Sequence, residues 1–458
     1  CPALGRVARK GSQGIPHMKT IVLGAGIIGI STAWHLLERG HEVIVVDRQP
    51  DAALETSFAN AAQISVSYCE PWANREAPLK ALKWMFDKEA PLLFRPQMDW
   101  QQWRWGLQFL AQCNDTAFER NVQQIVALGA YSHAALKDLV STTGIEYNRL
   151  ERGIAHFYTD QKSFDAAGHA VELMRKHGVQ RRLVSRDELL QIEPAFKAYG
   201  DKITGGTYTS TDESGDARVF TQELARRCIA RGAQFLYGHD VLRLNKIGNA
   251  IDSVAVIARN TGAGGQKDFI LKADAFVVAC GSYSAPLLRT VGVDLPIYPG
   301  KGYSATFPLL KPEGAPMVST IDDGKKIAMS RLGNYLRVAG TIELNGWDLT
   351  LDSSLARARC HMLSRRIEAI LPGVCDTRTP EEGGNPQFWT GLRPATPTNI
   401  PLIGRTKVGK LWINAGHGTL GWTHGAGSGR AMAELISGDV PAMNFDFHGM
   451  SASAGRHS

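Results

Sequence analysis

The stretch from Lys19 to Asp47, KTIVLGAGIIGISTAWHLLERGHEVIVVD, decides the fold. Lys19 to Leu23 is a short β-branched run that reads as a strand. Gly24, Gly26 and Gly29 follow at once, and helical spacing then continues through Ala33, Trp34 and Leu37 to Gly40. A second apolar run, Glu42 to Val46, ends in Asp47. Strand, tight turn, helix and strand in so short a span predict the first unit of a dinucleotide-binding sheet.

Each residue of the turn has a physical task. Gly24 permits the tight turn, Gly26 lets backbone approach a pyrophosphate, and Gly29 lets helix and strand pack closely. The amides that open the helix, Ile27 among them, and its positive dipole end then receive the phosphates. Asp47 falls twenty-one residues after Gly26, where a carboxylate accepts hydrogen bonds from ribose hydroxyls. Arg48 stands beside it.

Nicotinamide and flavin dinucleotides share this pattern, so two distant segments bear on the choice. Val277-Val278-Ala279-Cys280-Gly281-Ser282 is a buried strand running into Gly281, suited to closing over the pyrophosphate side. Asn414-Ala415-Gly416-His417-Gly418-Thr419-Leu420-Gly421-Trp422-Thr423 runs from a strand through glycines into a helix. A helix N-terminus there can stabilise negative charge at the N1–C2 edge of a reduced flavin. An ordinary glycine-rich strand–helix connection explains the same residues equally well.

The 458 residues are 44% hydrophobic and 21% charged, an ordinary globular composition. The formal charge of +7 includes Arg6, Arg9 and Lys10 at one end and Arg456 at the other, with no internal Lys/Arg block, so no nucleic-acid partner is expected. Seven scattered cysteines without a CxxC pair argue for a reducing compartment and against zinc, and no metal site is expected. Residues 1–17 lack the apolar stretch of a signal peptide and read as an N-terminal extension before a natural start at Met18. No transmembrane helix is evident, because glycines interrupt the uncharged run Ile21 to Leu37 and it is short for a span. Trp-rich helices are predicted from about Trp72 to Leu139, alternating β structure from Thr290 to Ile342, and helices near Leu355–Ile370 and Trp422–Ile436. The expectation is an α/β protein. Its Rossmann-like dinucleotide domain takes residues 18–70, 212–290 and 388–441, interleaved with a mixed α+β domain of 71–211 and 291–387, and 442–458 form a tail.

These pieces together resemble bacterial D-amino acid dehydrogenases, flavoproteins of the D-amino acid oxidase superfamily. The likeness runs from Met18 to about Pro441 and rests on VLGAGIIGISTAWHL, VVDRQPDAALETSFANAAQIS, YPGKGYSATF, FWTGLRPATPTNIPLIG and NAGHGTLGWT. Departures include His424-Gly425-Ala426, Thr398-Asn399-Ile400, Cys280 and an inserted loop from Arg259 to Lys267. The resemblance implies non-covalent FAD and a D-amino acid oxidase type of fold whose mixed domain binds substrate. It implies that Ser57, Phe58, Ala59, Asn60 and Ala61 form a loop beneath the flavin, that the Val241 backbone touches the adenine, and that Gly416 to Thr423 contact the flavin. It implies too that Arg393 binds the substrate carboxylate.

Arg393 makes chemical sense unaided, because a guanidinium fork matches a carboxylate bidentately and a second pocket for the side chain then fixes chirality. The alternative is a structural arginine paired with Glu381, Glu382 or a carbonyl. The Tyr303 hydroxyl can join Arg393 or simply belong to a half-buried strand tyrosine. His417 can donate to flavin or be satisfied by backbone.

The implied chemistry is oxidative deamination of D-alanine and similar D-amino acids by hydride transfer from Cα to flavin N5. The imine hydrolyses to a 2-oxo acid and ammonia. No general base is nominated, and rate should rise with pH as the substrate amine loses its proton. The resemblance also implies a quinone or other membrane electron acceptor, placing the protein in the cytoplasm or at the cytoplasmic face of the bacterial inner membrane. Trp84, Trp100, Trp103, Trp105, Leu107, Phe109 and Leu110, interspersed with Lys83, Lys88, Arg95 and Arg104, read either as an interfacial membrane anchor or as an internal helix over the substrate cleft. Two alternatives stay open: an oxidase of glycine, sarcosine, D-proline or D-hydroxyproline, and a non-catalytic flavin-binding subunit.

Overall fold

A computed structural model describes residues 17–79, 90–259 and 268–450. Trp84, Lys83, Lys88 and nearly all of the 259–267 insertion lie outside the described residues.

The Lys19–Leu23 strand sits near the middle of a six-stranded sheet. The order is Leu402–Arg405, Leu411–Ala415, Ala275–Val278, Lys19–Leu23, Glu42–Val46, Gln234–Leu236. All neighbours are parallel except the edge strand Leu402–Arg405. Both faces of such a sheet are covered, which is why its strands read as unbroken apolar runs. Val22, Val43, Val45 and Val277 pack toward the helices Ile27–Glu38, Ala217–Ala230 and Gly421–Ile436. The alternate residues Ile21, Leu23, Ile44, Val46, Phe276 and Val278 pack toward a smaller antiparallel sheet of His239–Ile247, Ala250–Ala258 and Phe269–Lys272.

A nine-stranded mixed sheet forms the second layer. Its order is Gln387–Ala395, Tyr298–Pro308, Tyr335–Leu344, Ile327–Leu332, Ser319–Asp322, Ile154–Tyr158, Gly205–Thr209, Arg181–Ser185, with Leu92–Phe94 paired to Tyr335–Leu344. The helix Ser354–Ile370 fills its core through Ala356, Leu363 and Ile367.

Three expected boundaries move. The strand Gln387–Ala395 pairs along Tyr298–Pro308, so residues 388–395 belong to the nine-stranded sheet rather than to the dinucleotide unit. The long helix Asp115–Thr143 buries Leu128, Ala135, Leu136 and Leu139 in the core shared with Ile27–Glu38 and Gly421–Ile436, although its sequence position suggested the other unit. In the expected tail, His448 backbone exchanges hydrogen bonds with Ile403 and Arg405, and Phe445 is buried. Packing partners, and not chain position, decide these memberships.

Candidate functional site

The glycines of the first turn do what their spacing predicts. Gly24 has φ +110°, and a Cβ there would sit 2.5 Å from the Ala279 carbonyl oxygen. A Cβ on Gly29 would sit 1.9 Å from the Gly24 oxygen, so the helix can lie on the strand only with hydrogen at that position. Gly26 occupies the N-cap without a side-chain cap of its own, and the Ile27 amide donates to Ser57 Oγ at 3.1 Å. That bond ties the Ser57–Ala61 loop to the helix start. Asp47 accepts from the Ala25 amide at 2.6 Å and from the Gln49 amide at 2.8 Å. Burial raises its pKa, so two backbone bonds leave this carboxylate short of donors. Arg48 pairs with Glu55 at 2.6 Å and lies over the Tyr283 ring.

From this turn a cavity of about 870 Å³ runs between the two sheets. Gly24, Gly26, Ile27, Asp47, Arg48, Ser57, Ala59, Asn60, Ala61, Val241 and Gly281 line it, as do His417, Gly418, Leu420, Gly421, Trp422, Thr423, Tyr303 and Arg393. Gly29 and Gly416 stand behind the wall. Gly29 is the packing glycine, and Gly416 turns the chain at φ +85° against Thr396. Phe58 is not among the lining residues and instead carries the Arg218 guanidinium on its ring. Cys280 lines the cavity, but burial pushes its thiol up to about 12 and its Sγ donates to the Leu23 carbonyl.

The residues present fit FAD. The first helix presents amides at one end, Asp47 is under-donated beside it, and the opening amides of Gly421–Ile436 face the same cavity. His417 behind them is fully enclosed, its Nε2 2.8 Å from Ser428 Oγ. Burial, reinforced by neighbouring His424, holds its pKa well below the ordinary range, so it is neutral. Its partner is a side chain and not the backbone.

Arg393 enters from the nine-stranded sheet. Between Tyr298–Pro308 and Tyr335–Leu344 the register slips, pairing Gly302 with Ile342 but Tyr303 with Gly340. Thr341 is the extra residue, with φ +53°. Arg393 Nη1 donates to its carbonyl at 2.9 Å. The guanidinium lies over Gly302, where a Cβ would meet Nη1 at 2.1 Å. No carboxylate among the described residues is within ion-pair distance of Arg393; neither Glu381 nor Glu382 reaches it. Deep burial lowers its pKa to about 10, yet the side chain is partly exposed, because the surface it shows faces the cavity. It remains a cation at neutral pH with donors to spare.

Tyr303 behaves differently. Its hydroxyl donates to Glu343 Oε2 at 2.7 Å, inside the core and 1% exposed. Burial and the Glu343 carboxylate both raise its pKa. The strand-tyrosine alternative is therefore the one this geometry supports, and the hydroxyl is committed away from Arg393. Thr341 and Glu343 had no sequence signal, since a bulge and a buried acid arise from pairing.

At the far side of the cavity stand Tyr68, Glu70, Tyr158, Arg181, Asp323 and Lys326. No motif singled them out, because they come from well-separated parts of the chain. The Trp-rich helix Trp100–Gln112 has a buried face and an exposed one. Trp105 is buried and donates to the Ala395 carbonyl, Gln102 is fully buried, and Phe109 lines the cavity. Trp100, Trp103, Leu107 and Leu110 form an exposed stripe on the outer face. No helix among the described residues is long and apolar enough to cross a membrane.

The fold and cavity define a flavin-dependent oxidoreductase. A family model for FAD dependent oxidoreductases (DAO) matches residues 19–435, and the chain belongs to that family. Among curated relatives, the D-amino acid dehydrogenase of Dechloromonas aromatica is 47% identical over 94% of this chain and 99% of its own length. That of Agrobacterium fabrum is 40% identical over 95% and 99%. Among solved structures, glycine oxidase from Bacillus cereus superposes with a TM-score of 0.67 at 21% identity, covering 92% of this chain and 95% of its own. L-proline dehydrogenase from P. horikoshii gives 0.67 at 18%, covering 92% and 93%. At those identities the likeness is one of fold.

Proposed function

We propose that this protein oxidatively deaminates D-amino acids, with Arg393 anchoring the substrate carboxylate. The observation that carries the reading is a cavity-facing guanidinium without an acidic partner among the described residues. A buried cation left so is costly unless a ligand supplies the anion. The division of labour that follows has the six-stranded sheet and the Ser57–Ala61 and Gly416–Thr423 segments holding FAD, and the nine-stranded sheet presenting Arg393. FAD, when bound, supplies the two-electron oxidation of the substrate Cα–N bond, whose imine product hydrolyses to a 2-oxo acid and ammonia. Arg393 fixes one end of the zwitterion, and the Thr341 carbonyl fixes Arg393. A carboxylate pinned at one point and a side chain held at a second leave only one enantiomer with its Cα hydrogen toward the ring. The relatives' names support the D-series.

Electrons then pass to an acceptor such as a quinone at a membrane surface. The exposed Trp100, Trp103, Leu107 and Leu110 stripe supports that reading, since the opposite face of the same helix reaches the cavity through Phe109.

The test is anaerobic addition of D-alanine to the purified yellow protein. D-alanine should bleach the flavin spectrum and L-alanine should not; no bleaching by any D-amino acid defeats the proposal. Stoichiometric hydrogen peroxide in air would replace the dehydrogenase reading by an oxidase. Unchanged dye-independent turnover on adding quinone-containing vesicles would defeat the membrane acceptor.

A further inference from the structure

We propose that the part of the cavity between strand Ile154–Tyr158 and helix Gln161–Lys176 is the chamber for the substrate side chain. Its two cations balance its two carboxylates, and this balance selects D-amino acids with uncharged side chains. The inference rests on the reading that Arg393 anchors the substrate carboxylate.

Position comes first. Tyr68 and Ala61 pack against the same buried residues, Ile154, Ile321 and Ala328, so the chamber opens where the Ser57–Ala61 loop ends. On its other side the Lys326 carbonyl oxygen lies 3.0 Å from where a Gly340 Cβ would be. Gly340 precedes Thr341, the acceptor of Arg393. The chamber therefore adjoins both the flavin loop and the carboxylate anchor. Space comes next. The helix wall facing it carries Ser163, Ala166, Ala167 and Ala170, short side chains that leave room where larger ones would fill it.

Charge decides the class of ligand. Arg181 donates to Glu70, Thr207 and the Ser67 carbonyl and approaches the Tyr158 hydroxyl, which occupies its fork. Glu70 accepts through Oε1 only and stays partly exposed to the cavity. Lys326 Nζ lies 3.0 Å from Asp323, whose Oδ1 is 3.5 Å from His156 Nδ1. His156 is buried and neutral. Arg181 and Lys326 thus offset Glu70 and Asp323, giving a wall rich in hydrogen-bonding groups with no net charge. An uncharged side chain preserves that balance. A charged one gives up hydration and adds an uncompensated unit charge beside four ions whose charges already cancel.

The test compares isosteric pairs by anaerobic flavin reduction in the FAD-loaded protein: D-glutamine against D-glutamate, and D-norleucine against D-ornithine. The uncharged member should have the higher kcat/KM in each pair by about tenfold or more. Glu70→Gln leaves the wall net positive and should shift the first ratio about tenfold toward D-glutamate, while Lys326→Met should shift the second toward D-ornithine by a similar factor. Dissociation constants of 2-oxoglutarate and 2-oxohexanoate, read from perturbation of flavin absorbance, should move with the first ratio without any turnover. Ratios within one preparation do not depend on how much of it is folded, and Glu70→Ala or Lys326→Gln replaces a variant that loses its flavin colour. Ratios unchanged within about twofold in both variants, with D-alanine still bleaching the flavin, overturn the chamber but leave the proposed function standing. Failure of D-alanine to bleach the unmodified protein overturns the function itself.

Discussion

Arg393 Nη1 donates to the Thr341 carbonyl at 2.9 Å, and Thr341 is the residue that a register slip leaves over between two strands. A threonine held at φ +53° is a conformation that needs support from its surroundings. Here the bulge turns a carbonyl toward a guanidinium that has no acidic neighbour among the described residues, fixing its direction while leaving most of its donors for a ligand.

Replacing Arg393 by methionine should therefore raise the KM for D-alanine by about 100-fold, the loss of a charge-assisted carboxylate pair worth about 3 kcal/mol. FAD content, read from the ratio of visible flavin absorbance to protein absorbance, should not change. Parallel loss of flavin would assign Arg393 a structural role instead.

Tyr303→Phe should have the opposite profile. Glu343 is 1% exposed and would lose the hydroxyl that donates to it, so thermal or urea unfolding should show destabilisation of about 1–3 kcal/mol. The KM for D-alanine should change by less than about threefold, because the hydroxyl points away from Arg393. A large KM effect at unchanged stability would restore the carboxylate role.

Gly29→Ala places a methyl 1.9 Å from the Gly24 oxygen, a backbone atom that cannot step aside without moving the turn. The variant should purify with little or no FAD, and calorimetric titration with added FAD should show affinity lowered by about 100-fold or more. Tight binding at the native level would show that the helix can shift without cost.

Acid stability follows from the buried histidines. Burial lowers His156 to about 4 and His424 to about 3, and holds His417 well below the ordinary range. Each folded-state value lies below the unfolded value near 6.5, so the unfolded chain binds more protons in this window. Their contribution to stability is complete above about pH 6.5 and is lost as pH falls toward 4. For His156 alone the shift corresponds to something on the order of 3 kcal/mol. The melting temperature should fall steadily from pH 6.5 to 5, and His156→Gln should flatten that slope. An identical slope in the variant would remove His156 from the explanation.

The cofactor end of the cavity was legible because its chemistry is local. Gly24, Gly26, Gly29 and Asp47 sit within one strand–helix–strand unit, so their spacing alone carries the geometry. Gly416 to Thr423 was readable as a glycine turn into a helix for the same reason. Tyr303 was not resolved, because whether its hydroxyl meets Arg393 or Glu343 depends on the face its strand shows after pairing. Arg393 itself was placed in the dinucleotide unit by chain position, whereas its strand hydrogen-bonds into the nine-stranded sheet.

By itself, then, the sequence determined a βαβ dinucleotide cradle, the residues at its turn and a flavoprotein family, since short-range spacing and turn chemistry are properties of contiguous chain. Tertiary structure alone decided which side chains face one another across the cavity. Thr341 beside Arg393, Glu343 under Tyr303, and the Glu70, Arg181, Asp323 and Lys326 wall are products of strand register and of packing between distant segments. Register has no local signature when buried apolar residues lie on both faces of a strand, so contacts of this kind exist only once the sheets have closed on each other.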